Sequence, residues 1–294
     1  MPATTASRGA SDRSPHDRFS PQALAQFLVL QLSEDRADLP VLPRIAVEVW
    51  DMARDPDVDF DRLRVALERE PVLAGRVLGV AHGAQYATKV PPQSIHDALT
   101  RLGQRVVADI LFEVTATMSV FREPAYTPAM DLLQRHALAV AYLARDLMDM
   151  LGDRSGSAFV AGLLHDVGTV ALLRVVAARE RRARRPAPPV SVLAPAIDAL
   201  SVRTGAHLAL RWGLPQDIVA AIGAQKTLLV EDEPCRLAAA IALADGLTAE
   251  AGLADLEGHD DQTELAATVL GCSKEGLERA RARSCEIVRH LLSG

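Results

Sequence analysis

The chain has 294 residues, enough for one large compact unit or two smaller ones. Hydrophobic residues make up 49% of it and aromatic residues 4%, and the abundance of Ala, Leu, Val and Arg favours helix over strand. The formal net charge of −6 excludes a global positive field of the kind that attracts nucleic acid or an anionic membrane.

We expect a cytoplasmic protein. No apolar run reaches the ~18–20 residues that a membrane span needs, and the first residues lack the apolar core of a signal peptide. The three cysteines, Cys235, Cys272 and Cys285, have no zinc-like spacing. We expect them to be small, buried, apolar side chains in a reducing compartment.

The order of polar and apolar residues predicts an all-α protein. Residues 1–20 are polar and aperiodic, which predicts a disordered tail. Two prolines in Leu39–Pro43 predict an extended entry to the next helix. Apolar residues at helical spacing predict these helices: Gln22–Leu32, Ile45–Arg54, Phe60–Glu70, a helix starting at Pro71, Ile95–Leu102, Val106–Phe121, Met130–Met150, Ile197–Trp212, a helix after Pro215, Pro234–Leu247, Leu265–Leu270 and Leu277–Leu292.

Capping residues set some of these boundaries. Asp59 is the predicted N-cap of the helix that follows it. Ser94, with Asp97 three residues later, resembles a capping box at the start of the Ile95–Leu102 helix. Gly103 is the predicted end of that helix.

An almost wholly apolar stretch, AFVAGLLHDVGTVALL at Ala158–Leu173, contains the doublet His165–Asp166. Because burying an unpaired charge costs several kcal/mol, these side chains need partners. The doublet is therefore either a metal or catalytic site, or the remnant of one that internal hydrogen bonds hold. Neighbouring side chains on a helix point ~100° apart, so both can serve one ion only at a helix end or kink. Gly168 is compatible with such a break.

The N-terminal half resembles an HDOD domain, an output domain related to the HD superfamily of metal-dependent phosphohydrolases. The resemblance rests on LPVLPRIAVEVWDMARDPDVDFDRLRVALEREPVLAGRVLGVAHGAQY (39–86) and PPQSIHDALTRLGQRVVADIL (91–111). The chain departs from the family at His82-Gly83, where Asn-Ser is usual. GAHLALRWGLPQDIVAAI (205–222) resembles a helix pair of the same family. The resemblance implies a multi-helix HDOD domain over 21–250, with an N-terminal helical half (21–128), an HD-like helical half (129–250) and a C-terminal helical extension (251–294).

The resemblance also implies a set of metal ligands. HD phosphohydrolases bind one or two divalent metals through the doublet, an upstream His and a distant Asp. The matching residues here are His136, His165, Asp166 and Asp245. Two imidazoles and two carboxylates form a mixed shell that suits a divalent transition-metal ion, which activates water and polarises a phosphate. Alternatively, His136 is a hydrogen-bonded core residue and Asp245 a cap or a surface carboxylate.

Other features argue against turnover of a cyclic dinucleotide. Related phosphodiesterases carry a Lys in HDxGK, where this chain has Thr169, and they use further histidines downstream. His207 is a match for one of these, but 223–226 reads GAQK where a His pair is expected, and the GYP signature is absent. The basic run 174–185 lacks interleaved aromatic residues, so we interpret it as a solvated helix end and loop.

Two hypotheses follow. The first is a non-enzymatic regulatory protein of bacterial signal transduction, which acts through contacts with other signalling proteins and not with nucleic acid or membrane. The second is a metal-dependent phosphohydrolase that acts on a nucleotide or a phosphomonoester, with the divalent metal held by the four ligands above.

Overall fold

The computed structural model describes residues 19–33, 39–54, 71–82, 92, 94–153, 156–254, 256 and 262–293. Within these ranges the chain is almost entirely helical, which confirms the predicted all-α class. Their strands are limited to an antiparallel pair, β1 (Leu229–Val230) and β2 (Glu233–Pro234). The predicted helix Phe60–Glu70, its cap Asp59 and the tail up to residue 18 lie outside the described residues.

The N-terminal helices contribute to two apolar cores, and one helix takes part in both. In chain order they are α1 (Pro21–Ser33), α2 (Arg44–Arg54), α3 (Pro71–Ala81), α4 (Ile95–Leu102) and α5 (Gln104–Ser119). The helices α3, α4 and α5 enclose a small apolar core that includes Leu99 and Leu111. Phe112 and Ala116, also on α5, belong to the main core, so α5 contributes to both cores.

The remaining helices build the main core. They are α6 (Thr127–Met150), α7 (Ser157–Leu164), α8 (Val167–Arg182), α9 (Val190–Arg211), α10 (Gln216–Ala224), α11 (Arg236–Glu250), α12 (Thr263–Leu270) and α13 (Lys274–Ser293). A 3₁₀ turn over Pro124–Tyr126 precedes α6. The long helix α6 packs against α7, α11 and α13, so it is the central element of this half.

The caps of α4 are as predicted. Ser94 Oγ accepts a hydrogen bond from the Asp97 backbone N–H at 3.0 Å, which satisfies one of the free donors at the helix start. Gly103 ends the helix with φ of 76°, a left-handed conformation that a Cβ would disfavour.

The start of α9 was predicted too late. The helix begins at Val190 rather than Ile197, and Pro195 lies inside it. Proline removes a helix hydrogen bond, which is why the sequence favoured a start beyond it. Leu193 and Ala196 on these first turns are buried, and their packing offsets the missing hydrogen bond.

Two glycines bring helices into backbone contact. A Cβ on Gly162 of α7 would lie 2.8 Å from Ala141 Cα of α6. A Cβ on Gly168 of α8 would lie 1.8 Å from Ser201 O of α9. Gly168 lies in the first turn of α8, just after the break at residues 165–166 with which it was expected to be compatible, and it is required for this close packing.

The apolar stretch 157–182 is long enough to span a membrane by length and composition, contrary to the expectation from the sequence. However, 94% of its apolar window is buried inside the protein, as in a core helix. It is also interrupted at residues 165–166, between α7 and α8.

A polar interface joins α5 to α6. Arg145 of α6 donates to Asp109 of α5 at 3.1 Å, and both are largely buried. The hydroxyl of Tyr142, also on α6, donates to Glu113 of α5, which accepts a second hydrogen bond from Arg76 of α3 at 3.1 Å. The helix α5 is thus held to α6 by ionic contacts, in addition to the apolar contacts that Phe112 and Ala116 make in the main core.

Two arginines of the basic run 174–185 bind a buried carboxylate, a contact that its interpretation as a solvated helix end and loop did not include. Arg185 and Arg179 both bond to Glu180, whose side chain is buried, at Nε–O distances of 2.8 and 3.2 Å. The Arg179 guanidinium also lies 4.8 Å from the ring centroid of Phe19, a residue that the sequence assigned to the tail but that is buried.

The cysteines differ from expectation. All three are free, and none is fully buried: Cys235 and Cys272 are half-buried and Cys285 is exposed.

Candidate metal centre

Four helices bring the predicted ligands together. His136 lies in the middle of α6, and Asp245 lies in α11, which packs against it. His165 follows the last residue of α7, and Asp166 is the N-cap of α8 with φ of −98° and ψ of 12°. The doublet therefore occupies a helix break, the arrangement that the sequence required for two adjacent ligands.

The ligand atoms converge on one point. His136 Nε2 is 3.3 Å from His165 Nε2 and 3.1 Å from Asp245 Oδ1. Asp166 Oδ2 is 3.3 Å from His165 Nε2 and 3.9 Å from His136 Nε2. One ligand atom from each of His136, His165 and Asp245 falls within 4.8 Å of the other two. Four side chains from three separate parts of the sequence thus surround a single small volume.

Backbone carbonyls orient both imidazole rings. His136 Nδ1 is 2.9 Å from the Leu253 carbonyl oxygen, and His165 Nδ1 is 2.7 Å from the Gly162 carbonyl oxygen. Since a carbonyl only accepts, each Nδ1 carries the proton and each Nε2 is directed towards the cluster. This is the usual support of a metal-binding histidine, whose other ring nitrogen is held by an outer partner.

The electrostatics of the cluster favour a positive charge at its centre. Burial of His136 lowers its pKa, but the hydrogen bond and charge of Asp245, together with the charge of Asp166, raise it from 6.5 to about 9. A proton on His136 Nε2 lies between His165 Nε2 and Asp245 Oδ1. A metal ion would replace this proton.

Solvent reaches the cluster from one side. The side chains of His136, His165 and Asp166 are 0%, 2% and 6% exposed, whereas Asp245 is 29% exposed. An ion or a small ligand would therefore approach along the Asp245 side.

The distances fit a divalent transition-metal ion. Bonds of about 2.0–2.2 Å at tetrahedral or octahedral angles place neighbouring ligand atoms about 3–3.6 Å apart. The separations of 3.3 and 3.1 Å around His136 Nε2 lie in this range. The set of two imidazoles and two carboxylates suits Mn²⁺, Fe²⁺, Co²⁺ or Zn²⁺.

Two further residues contact the site, and neither was predicted. The Leu253 carbonyl lies just beyond α11, in the segment that the sequence assigned to a C-terminal extension. Gln225 Nε2 donates to the His165 carbonyl at 3.1 Å. The role of the Leu253 carbonyl could not be predicted from residue types, because every residue has a backbone carbonyl. Gln225 belongs to the GAQK segment, which the sequence comparison treated only as a departure from a His pair.

The residues compared with cyclic-dinucleotide phosphodiesterases do not enlarge the cluster. Thr169 is fully buried, and His207 is exposed on α9. Within the described residues, the group of mutually close side chains that could hold a metal ion contains neither of them.

Comparison with known proteins shows the family. The model of the HDOD domain matches residues 39–228, well over half of the chain, and the chain belongs to the HDOD family. Asp245 and Leu253 lie beyond the matched residues. An uncharacterized protein of Treponema pallidum (strain Nichols) is 24% identical over 199 residues, 65% of this chain and 38% of that protein. The chain thus spans less than half the length of this curated relative.

Solved structures share the fold over nearly the whole chain. A candidate metal-dependent phosphohydrolase from Shewanella amazonensis SB2B has a TM-score of 0.69 at 20% identity, covering 95% of this chain and 99% of that one. A candidate signal transduction protein from Marinobacter aquaeolei VT8 has a TM-score of 0.67 at 21% identity, with 93% and 65% covered. An HDOD domain protein of unknown function from Geobacter sulfurreducens has a TM-score of 0.63 at 23% identity, with 92% and 93% covered.

Proposed function

We propose that this HDOD protein is a cytoplasmic regulatory component of bacterial signal transduction whose HD-like site holds a divalent metal ion. The observation that carries the metal assignment is the convergence of His136 Nε2, His165 Nε2 and Asp245 Oδ1, with both Nδ1 atoms engaged by backbone carbonyls. The neighbours described as a signal transduction protein and a metal-dependent phosphohydrolase support the two parts of the proposal.

A regulatory role accounts for the site better than rapid turnover does. Thr169 occupies the position of the Lys that the resemblance associates with phosphate binding, and it is fully buried. A neutral, buried side chain cannot supply the positive charge that stabilises a phosphate in its transition state. Gln225 is engaged with the His165 backbone. In this proposal the ion stabilises one arrangement of the helices, and contacts with signalling proteins carry the output.

A second candidate function is a metal-dependent phosphohydrolase acting on a nucleotide or a phosphomonoester. The partial exposure of Asp245 favours it, because a water or a phosphate oxygen has access to the cluster there. A bound divalent ion would supply Lewis-acid activation of water and phosphate. The four candidate ligands, His136, His165, Asp166 and Asp245, would hold the ion, and the Leu253 carbonyl would keep the His136 ring oriented.

Metal analysis of the wild type and of Asp166→Ala tests the proposal. We expect about one Mn²⁺, Fe²⁺, Co²⁺ or Zn²⁺ per wild-type chain and a clear loss in the variant. Equal metal content in the two proteins would overturn the ligand assignment. Both proteins are then screened with p-nitrophenyl phosphate and nucleotides. Turnover by the wild type that Asp166→Ala abolishes would replace the regulatory proposal with the second candidate.

Capture of binding proteins tests the regulatory part. Metal-loaded wild type and Asp166→Ala are compared as baits in a lysate of the source cells. We expect signalling proteins that bind the metal-loaded wild type and are lost with the variant. An identical set of captured proteins would argue against a regulatory role for the ion.

A further inference from the structure

The backbone at the doublet departs from the α-helical pattern. In an unbroken helix the Thr169 N–H would donate to the His165 carbonyl, four residues earlier. It donates instead to the Asp166 carbonyl at 3.0 Å, as does the Val170 N–H at 3.3 Å. The Thr169 hydrogen bond therefore spans three residues rather than four at the point where the two ligands must point towards one volume.

Gln225 binds the backbone at the helix break. Its side-chain Nε2 donates to the His165 carbonyl at 3.1 Å. Gln225 is the C-cap residue of α10, and α10 packs against both α7 and α11, which carries Asp245. The hydrogen bond thus comes from a helix that touches the elements on both sides of the cluster.

A second hydrogen bond fixes the other end of α7 to the same helix. Ser157, the first residue of α7, donates to Asp217 in the first turn of α10 at 2.6 Å. Ser157 and His165 are eight residues apart, and so are Asp217 and Gln225. Both ends of α7 are therefore tied in matching register to α10, one close to the ligands and one remote from them.

We infer that Gln225 is a positioning residue of the metal centre: its amide anchors the backbone of the helix break to α10, so that His165 and Asp166 bind the same ion. This inference rests on the proposed metal binding. Without this hydrogen bond, the segment between α7 and α8 loses its connection to α10, and the doublet can move towards helical geometry. The two side chains would then diverge by ~100°. Metal affinity would fall although no ligand is removed.

The test uses the full chain and Co²⁺ as the probe. Gln225→Met keeps the length of the side chain and removes the donor, and Gln225→Glu places a carboxylate against the carbonyl. We expect Co²⁺ to bind about 10- to 100-fold more weakly to both variants than to the wild type, the usual effect of losing an outer partner. The visible spectrum of bound Co²⁺ should also change, because the ligand geometry changes.

Ser157→Ala is the matched control, since it removes the other α7–α10 hydrogen bond. It should lower the thermal midpoint in EDTA while leaving the Co²⁺ affinity and spectrum within about twofold of the wild type, because Ser157 is remote from the ligands. Circular dichroism shows which variants are folded. If Gln225→Met does not fold, Gln225→Glu is compared with the wild type in its place.

The possible results distinguish a failure of the proposed role of Gln225 from a failure of the proposed metal site. Wild-type affinity and spectrum in a folded Gln225→Met or Gln225→Glu would overturn the role of Gln225 alone. An equal loss of affinity in Ser157→Ala would reduce Gln225 to a general packing role and also overturn it. A wild type that binds Co²⁺ no better than Asp166→Ala would overturn the proposed metal site itself.

Discussion

The Nε2 atoms of His136 and His165 face each other at 3.3 Å, while the Nδ1 atom of each ring is engaged by a backbone carbonyl. Two nitrogen lone pairs at this distance repel unless a cation lies between them. In the metal-free protein that cation is a proton, which the nearby carboxylates of Asp245 and Asp166 stabilise. A metal ion bound at this site would therefore compete with the proton for one position.

Asp245→Asn should weaken metal binding strongly. The change removes a carboxylate ligand and the negative charge that stabilises the cation. Since outer partners alone contribute about 10- to 100-fold, we expect a loss of more than about 100-fold in affinity, measured by calorimetry with Mn²⁺. Asp198→Asn is the control, because Asp198 is an exposed acid that pairs with Lys226. Equal affinities in the two variants would contradict the ligand role of Asp245.

The stability of the metal-free protein should depend on pH through His136. Its folded pKa is about 9, above the unfolded value of 6.5, so the folded state holds more protons between these values. The stabilisation is complete below pH 6.5 and is lost as pH rises through about 9. We expect this contribution to reach about 3 kcal/mol, measured by urea unfolding in EDTA. In Asp245→Asn the free energy of unfolding should depend less on pH. In saturating Zn²⁺ the sign of this pH dependence should reverse, because the ion needs the deprotonated ring. An unchanged pH dependence in Zn²⁺ would contradict the competition between proton and metal ion.

Gly168→Ala should severely destabilise the protein. The new Cβ would lie 1.8 Å from the Ser201 carbonyl oxygen, so α8 and α9 must separate. We expect a loss of at least about 3 kcal/mol or a failure to fold, since overpacking a rigid contact is costly. Gly79→Ala in α3, where a Cβ meets nothing within 4 Å, should be neutral or stabilising by up to about 1 kcal/mol. Similar thermal midpoints for the two variants would refute the close helix contact.

The buried ion pair between α5 and α6 should matter more than an exposed one. Arg145→Met leaves Asp109 buried and unpaired, which should cost about 3–5 kcal/mol. Arg283→Met removes exposed bonds to Asp146 and Glu286 and should cost less than about 1 kcal/mol. Chemical denaturation of both variants measures the difference. The double variant Asp109→Asn/Arg145→Met should regain much of the stability that Arg145→Met loses. If it is no more stable than Arg145→Met, Arg145 acts by packing alone.

Short-range patterns in the sequence determined the helical class and several boundaries. Apolar spacing predicted most of the described helices, and the Ser94 cap and the Gly103 stop were confirmed, because both depend on residues within one or two turns. The doublet in an apolar run required partners, and the resemblance to HD phosphohydrolases identified His136 and Asp245 among the candidates. Metal occupancy, the signalling partner and the domain boundaries stay predictions.

Only the tertiary structure decided how the site is supported. The Leu253 carbonyl and the Gln225 amide reach the two histidines from distant segments, and their roles depend on where the backbone passes rather than on a local pattern. The same holds for Gly168, whose neighbour is a carbonyl on another helix, and for Glu180, which two arginines of the basic run neutralise in a buried position. The sequence by itself specified which side chains could bind an ion. Long-range packing determined that their ligand atoms meet, because convergence depends on the relative placement of α6, α7, α8 and α11.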